Sequence, residues 1–586
     1  MYDMKQFLKY TLATIVGVLI VVGILLFFFA GLAASGAPDT AIKSNSVLHL
    51  KFDNIIPELT DNIPSGQFGA SPTSAVGLND ITRLLKTAAE DSKIKGILLQ
   101  SEAVPANPTT AYSIARSLEA FKTSGKFVLG YGNYFSQSGY IIAATADTLH
   151  LNPNGVVDMR GYGMTIPYYE DFSQKTGIDF DVYHAGRYKS AIEPFYRDKA
   201  SDDNRYQTHA YLQDYHDALA DHIADCRNLD TEAIDQVITQ GLSNNADDAI
   251  KYRLVDTLSY FDDLKDEIAD RLNTTDVNYV KLEEYHLDRP KPSVSNNNKV
   301  AVIYAEGEVA GGGEARGSIS MDVYDEIFDR LEKNDKVKAV VLRVNSPGGS
   351  SFTSDRFWKR VKDLSAQGKY VVASFGDYAA SGGYYVAAAA EKIITEPTTL
   401  TGSIGVFSMI PDLKELSEEE LGIYWDTIST GKRTFLYSSF VSRSAADNAL
   451  LKAETERIYQ QFKEVVADGR GMTVDAVHEV AQGRVWSGID AMETGLVDTL
   501  GSLQDAIAIA ARAVSYDDYK VLEYPIIEKT FYEKLLEGFA NNVSADFQPQ
   551  YKLNNPIIQQ LMEQVQLIDQ ACQTPQARLP LGMLTY

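Results

Sequence analysis

Short apolar runs bounded by charge recur along most of the chain and alternate with segments of helical spacing. KGILLQ (95–100), GKFVLGYG (125–132), KAVVLR (338–343) and GKYVVASFG (368–376) are nearly continuous in apolar character, the pattern of strands buried on both faces. Strands of this kind, alternating with helices, predict a layered α/β architecture with a parallel sheet.

One apolar run is of a different kind. From Thr11 to Ala34 the chain reads TLATIVGVLIVVGILLFFFAGLAA, 24 residues without a charge. About 20 apolar residues span a bilayer, whereas the apolar core of a signal peptide runs to about 15 at most. The run predicts a transmembrane anchor at 11–34. Lys5 and Lys9 precede it and Asp39 follows, so residues 1–10 are expected in the cytoplasm and the body on the far side of the membrane. No second run of this length occurs, which predicts a single-pass protein.

The pattern also repeats. KGILLQ matches KAVVLR, GKFVLGYG matches GKYVVASFG, and NYFSQSGYIIAATADTLHL (133–151) matches DYAASGGYYVAAAAEKIIT (377–395). LVDTL occurs at both 254–258 and 496–500, and all four matches keep their order at an offset near 243. A tandem duplication follows, with a first repeat at 45–287 and a second at 300–520. Between them DRPKPSVSNNNK (288–299) has the proline and polar content of a linker. Residues 521–586 are expected to form a mixed, partly helical tail.

Composition narrows the function. A chain of 586 residues with 45% hydrophobic and 23% charged residues is long enough for two full cores. Its formal net charge of −25 argues against nucleic acid as a partner, since that needs a basic face. Two cysteines, Cys226 and Cys572, are too few for a disulfide scaffold or a cysteine metal site, and are expected as isolated buried thiols.

The two copies differ where chemistry is expected. In DYAASGGYYVA a single hydroxyl, Ser381, meets two glycines at the mouth of a helix, where unpaired N–H groups are available. The first repeat has Gln137 at that position. VNSPGGS (344–350) ends a strand in the second repeat, whereas the first has SEAVPANP (101–108) with no paired glycines. Gly348 or Gly349 with the N–H of Gly382 is a candidate oxyanion hole, a device whose donors lower acyl-transfer barriers by roughly 3–4 kcal/mol each.

A nucleophilic serine needs a base. The chain has eight histidines, none between His286 and His478. His209, His216 and His222 fall in a polar helical stretch and are expected to be solvated; no histidine sits in a distinctive motif, though a triad assembled in space stays open. HAGRYKSAIEPFYRD (184–198) offers Lys189 after a glycine turn, and the second repeat has Thr434 there, in STGKRTF (429–435). One copy thus has the serine and the other the lysine. Lysine acts as a base only when neutral, so the reading predicts that Lys189 is buried.

GRYKSAIEPFYRD, VNSPGGS, DYAASGGYYVA and LTGSIGV (400–406), in that order, resemble the signal peptide peptidase A family (protease IV) in its long, two-domain form. The resemblance covers nearly the whole body and the anchor. It implies two Clp-protease/crotonase-like domains and a serine endopeptidase with Ser381 as nucleophile and Lys189 as general base. Ser403 is implied as a residue that orients the lysine. It further implies no cofactor and no metal, and a homotetrameric bowl on the extracytoplasmic face of the bacterial inner membrane. The implied substrates are signal-peptide remnants and other hydrophobic or unfolded chains. Two rivals stand beside this reading: a crotonase-type enzyme acting on an acyl-coenzyme A, and an inactive peptide-binding scaffold.

Overall fold

The computed structural model describes residues 42–62, 75–289, 297–313 and 316–527, isolated positions between 9 and 20, and two short strands at 576–578 and 583–585. The first repeat contributes β1 (Ser46–Lys51), β2 (Ile94–Gln100), β3 (Phe127–Phe135), β4 (Thr148–Val157), β5 (Gly163–Thr165), β6 (Asp179–Ala185), β7 (Thr257–Leu258) and β8 (Asn278–Lys281). Six of these form a parallel sheet in the order β7-β4-β3-β2-β1-β8, while β5 and β6 pair elsewhere.

The second repeat contributes β9 (Lys299–Glu306), β10 (Glu308–Val309), β11 (Ser318–Ile319), β12 (Val337–Ser346), β13 (Gly348–Ser350), β14 (Tyr370–Ala380), β15 (Lys392–Thr395), β16 (Leu400–Gly402), β17 (Val406–Asp412), β18 (Val485–Trp486), β19 (Thr499–Leu500) and β20 (Lys520–Tyr524). Its main sheet runs β18-β16-β14-β12-β9-β20, with β15 on β14 and β19 on β15. β9, β12 and β14 therefore stand where β1, β2 and β3 stand in the first repeat, and LVDTL supplies the closing strand of each copy, β7 and β19. The duplication read from sequence is a duplication of topology.

The continuous apolar runs are explained by two cores. Ala301, Ile303, Val340, Leu342 and Val344 point to one side of the second sheet, and Val300, Val302, Tyr304, Ala339 and Val341 to the other. Successive side chains alternate between faces, so covering both faces leaves the middle of each strand, Val300–Ala305 and Ala339–Val344, almost wholly apolar. The exception is Arg343, which is buried and forks onto Glu58 of the first repeat at 3.0 and 2.9 Å.

Other contacts also lock the repeats together. Asp377 accepts from the backbone N–H of Thr110 at 2.9 Å, in the first turn of the helix Pro108–Lys122. Arg116 meets both oxygens of Glu396 at 2.8 and 2.9 Å. β6 crosses over to pair antiparallel with β17, from Ala185↔Val406 to Asp179↔Asp412. A third sheet results, in the order β11-β10-β13-β21-β17-β6, in which β21 (Gln576–Arg578) comes from the tail; β22 (Met583–Thr585) pairs with β5.

Some expectations fall largely outside the described residues, and others need amendment. Most of the apolar run at 11–34 lies outside the described residues; of it Thr14, Val16, Gly17 and Ile20 are described, all helical. Among the described residues no helix is long and apolar enough to cross a membrane. Most of the tail also lies outside the described residues; beyond 575 the described ones form two short strands.

His209 is exposed, but His216 and His222 are not solvated as expected. His216 Nε2 lies 2.7 Å from Asp235, and His222 Nε2 lies 2.8 Å from the Ile141 carbonyl. The helix Asp202–Arg227 turns Leu219, Ile223 and the neighbouring His222 toward the first core, and that burial lowers the His222 pKa. Cys226, on the same face, is free and half-buried rather than buried, its thiol pushed up to about 11 by burial. Cys572 lies outside the described residues.

Candidate active site

Ser381 follows β14 directly and immediately precedes the short helix Gly382–Ala387. Its φ of 57° is in the left-handed region, a conformation that costs a non-glycine residue about 1–3 kcal/mol. The turn is held by the Ser381 N–H, which donates to the Gly402 carbonyl at 2.7 Å, and by the Tyr385 N–H on the Ser381 carbonyl at 2.9 Å. The serine side chain does not cap its own helix. Its hydroxyl is free to face elsewhere.

The small residues around it answer to close packing. A Cβ on Gly383 would lie 2.6 Å from the Ser346 carbonyl, so only glycine lets this helix approach the end of β12. Gly349 is tighter still: its φ is 148°, and a Cβ would meet the Val309 carbonyl at 2.2 Å. The Gly348 N–H donates to the Ser346 hydroxyl at 3.2 Å, a long contact. β13 and the Ser381 turn are thus built side by side.

Lys189 arrives from the other repeat. The β6–β17 ladder ends at Ala185, Gly186 turns with φ 105°, and Lys189 enters the site three residues later. Its Nζ lies 2.7 Å from Ser381 Oγ. It also donates to Ser403, at 3.0 Å on the carbonyl and 3.1 Å on the hydroxyl. The side chain is 2% exposed, and burial alone drives its pKa well below the ordinary lysine value. Among the described residues no carboxylate forms an ion pair with it, so nothing offsets the cost of charging it there.

The structure therefore brings Ser381, Lys189 and Ser403 into one contact group and sets Gly382, Gly348 and Gly349 beside them. No histidine hydrogen-bonds to Ser381 among the described residues; Gln137, at the serine's position in the first repeat, instead accepts from the N–H groups of Arg160 and Gly161 at 3.0 and 2.7 Å.

Sequence reasoning missed the loop that aligns the pair, Gln482–Arg484. The Gln482 carbonyl accepts from the Tyr188 N–H at 2.8 Å, and the Arg484 carbonyl accepts from the Ser403 N–H at 2.7 Å. Between them Gly483 has φ 79°, and a Cβ there would lie 2.6 Å from the backbone nitrogen of Lys189. The Arg484 guanidinium sits 3.7 Å from the Trp486 ring centroid, which fixes the loop from outside. Gln207 closes the arrangement by donating to the Tyr188 carbonyl and accepting from the Val485 N–H. The local signal was the QGR turn, which carries no chemistry of its own.

A serine strained at a helix mouth, with a buried lysine against its hydroxyl, is an arrangement suited to a serine hydrolase. The family match makes the class specific: the model of peptidase family S49 matches residues 120–275 and 363–517, starts 243 residues apart (363 − 120). "Protease 4" of Salmonella typhi is 33% identical over 493 residues, covering 82% of this chain and 79% of the relative. "Protease 4" of Haemophilus influenzae is 30% identical over 511 residues, covering 84% and 83%. "Serine protease SPPA, chloroplastic" of Arabidopsis thaliana is 30% identical over 463 residues, covering 76% and 67%. A solved membrane-bound stomatin-specific protease, 1510-N, aligns at a TM-score of 0.26 and 14% identity over 42% of this chain and 99% of its own, too distant to bear on the site. The chain belongs to peptidase family S49 and is a serine endopeptidase; the likeness to signal peptide peptidase A read from its motifs holds.

Proposed function

We propose that this chain is a single-pass membrane peptidase in which a Ser/Lys pair, split between two repeats of Clp-protease/crotonase-like fold, cleaves hydrophobic and unfolded polypeptides, signal-peptide remnants among them. The observation that carries the reading is the 2.7 Å contact between Ser381 Oγ and a Lys189 amine that is buried without a counter-charge. A neutral amine has two N–H donors and one lone pair. The two donors match the carbonyl and hydroxyl of Ser403, which leaves the lone pair for the serine proton.

In the proposed cycle Ser381 attacks the peptide carbonyl as Lys189 takes its proton. The Gly382 N–H and an N–H of the Gly348–Gly349 turn hold the oxyanion, the long Gly348–Ser346 contact giving way. The ammonium returns the proton to the leaving amine, and water then frees the acyl group from Ser381. The strain at Ser381 keeps its hydroxyl presented throughout. The apolar run at 11–34 supports anchoring in the bacterial inner membrane with the body outside the cytoplasm.

Assembly into a homotetramer is supported by an exposed apolar stretch. GIYWDTISTG (422–431) is the second repeat's counterpart of GIDFDVYHAG (177–186), which contains β6. β6 has β17 as a partner, whereas Tyr424 and Ile428 are 78% and 92% exposed, a surface suited to a second copy. A formal net charge of −25 disfavours the phosphates of a coenzyme A, and an inactive scaffold would have no use for a strained serine.

Hydrolysis of a fluorogenic apolar peptide by wild type, Ser381→Ala and Lys189→Ala, with folding checked by circular dichroism, tests the proposal. Both variants should lose at least about 10³-fold in kcat. A fully active Lys189→Ala would place the base elsewhere.

A further inference from the structure

The chain carries 79 acidic against 54 basic side chains, yet one cleft of the first repeat is basic. It opens at the amino-terminal edge of the first sheet, where β2 and β3 begin, and has a volume of about 570 Å³. Lys95, Lys126 and Arg271 line it, with Ile94 and Phe127 as its apolar wall and no carboxylate among its described lining residues. Lys126 Nζ donates to the carbonyls of Ala88 and Asp91 at 2.6 and 2.7 Å, which leaves one N–H. Arg271 gives Nε and Nη2 to Glu267 at 3.1 and 2.8 Å and keeps Nη1. Lys95 stands exposed on β2. Burial lowers the Lys126 pKa, and Lys95 lowers it further against the pull of Asp91, whose carboxylate is itself taken by Arg289 at 2.7 Å. Cations gathered this way repel one another until an anion joins them.

The cleft lies where the chain arrives from its long apolar run. Ser46, the first residue of β1, pairs with Ile94, and Gly96 pairs with Phe127, so β1, β2 and β3 start side by side. With neighbouring strands about 4.8 Å apart, the cleft lies within about 10 Å of Ser46. Residues 35–45 join Ser46 to Ala34, the end of the run, with a reach of at most about 40 Å. Lys43, exposed, and Lys93, half-buried, flank the same edge. The second repeat has no such run before it. It keeps Lys338 and Lys369 where the first has Lys95 and Lys126, and Lys369 Nζ likewise caps two carbonyls, those of Asn334 and Val337. Those two lysines therefore belong to the fold. Arg271 does not: aligning Leu264 and Ile268 of the helix Phe261–Leu272 with Leu503 and Ile507 puts the buried Ala510 in its place.

We propose that this cleft binds the phosphate headgroup of an anionic phospholipid and holds the amino-terminal edge of the first sheet against the bilayer surface. The proposal rests on residues 11–34 being a membrane anchor. A phosphodiester brings the missing negative charge and accepts from Lys95, Lys126 and Arg271 Nη1, while Ile94 and Phe127 meet the glycerol and upper acyl carbons. A chain of net charge −25 is otherwise repelled by anionic lipid, so the cleft decides which face turns toward the membrane.

The test places the full chain in nanodiscs of phosphatidylcholine, alone or mixed with phosphatidylglycerol, and follows acetylation by an N-hydroxysuccinimide ester, lysine by lysine, by mass spectrometry. Only a neutral amine reacts, and a phosphate seated on Lys95 keeps it charged and covered. Acetylation of Lys95 should slow at least about threefold in the mixed discs, with Lys338 unchanged. Arg271→Ala, which copies the second repeat at an exposed position, should abolish that protection. Equal Lys95 rates in the two lipids, protection that survives in Arg271→Ala, or equal slowing of Lys338 overturns the proposal. So does full protection by inorganic phosphate in phosphatidylcholine discs, which would make the cleft a site for free phosphate. A chain that enters no disc refutes the anchor and the proposal with it, whereas one that enters both kinds of disc with equal Lys95 rates refutes the lipid site alone.

Discussion

Lys189→Met separates the protonation state of the lysine from everything else at the site. In the unfolded chain Lys189 holds its proton up to about pH 10.4. In the folded chain burial lowers its pKa, so unfolding takes up a proton throughout the window between the folded and unfolded values. The unfolded state binds more protons there, and wild-type stability therefore rises with pH by about 1.4 kcal/mol per unit from this residue alone. Methionine fills a similar shape and titrates nothing. It also leaves the hydroxyl and carbonyl of Ser403 without a partner, a cost of about 1–3 kcal/mol that does not depend on pH. The absolute difference between the two proteins is thus mixed, but its slope is not. Urea unfolding of both, followed by circular dichroism at a series of pH values up to about 10, should give a wild-type stability that gains on the variant by about 1.4 kcal/mol per unit wherever the folded lysine is neutral and the unfolded one charged. A difference that stays flat across this range would mean that the folded lysine is an ammonium, and no ammonium can take the serine proton.

Ser403→Ala removes one of the two Ser403 contacts that hold Nζ and should lower kcat about fivefold to tenfold with little change in KM, seen in steady-state kinetics. Gly483→Ala puts a Cβ 2.6 Å from the backbone nitrogen of Lys189 at a φ of 79°; thermal unfolding should register a loss of about 1–3 kcal/mol, and activity should fall further than stability does. Arg343→Leu leaves Glu58 buried without its partner and should cost about 3–5 kcal/mol, measured by urea unfolding. Burial, helped by the neighbouring Glu58, pushes Glu306 up to about 7, so the folded state holds a proton that the unfolded chain releases above about pH 4.3. Its contribution to stability falls as pH rises toward 7 and is lost above that; Glu306→Gln should flatten this part of the wild-type stability curve.

The sequence was legible where period and repetition spoke. Buried strands such as KAVVLR needed no more than their unbroken apolar run, and the repeat offset placed Ser381 opposite Gln137 and Lys189 opposite Thr434. What it could not convey was closure between distant segments. Nothing local in YHAG or VFSMIPD says that β6 leaves its own repeat to pair with β17, yet that ladder is what carries the lysine to the serine. The Gln482–Arg484 loop acts through backbone carbonyls, which any residue supplies, and so left no mark in residue type. His222 was misread because the helix Asp202–Arg227 has a weakly amphipathic pattern, so a buried histidine looks like its exposed neighbours. The tail's strand in the third sheet is likewise a main-chain pairing.

The most direct test of a serine in one repeat activated by a lysine in the other is labelling with a fluorophosphonate, mapped by mass spectrometry, in wild type and in Lys189→Arg. Arginine keeps a positive charge and hydrogen-bond donors but has no basic lone pair at working pH. The expected result is a single adduct on Ser381 in wild type, forming faster as pH rises through the folded lysine's titration, and labelling slowed by at least about 10²-fold in Lys189→Arg. An adduct on another residue, or equal labelling rates in the two proteins, would contradict it.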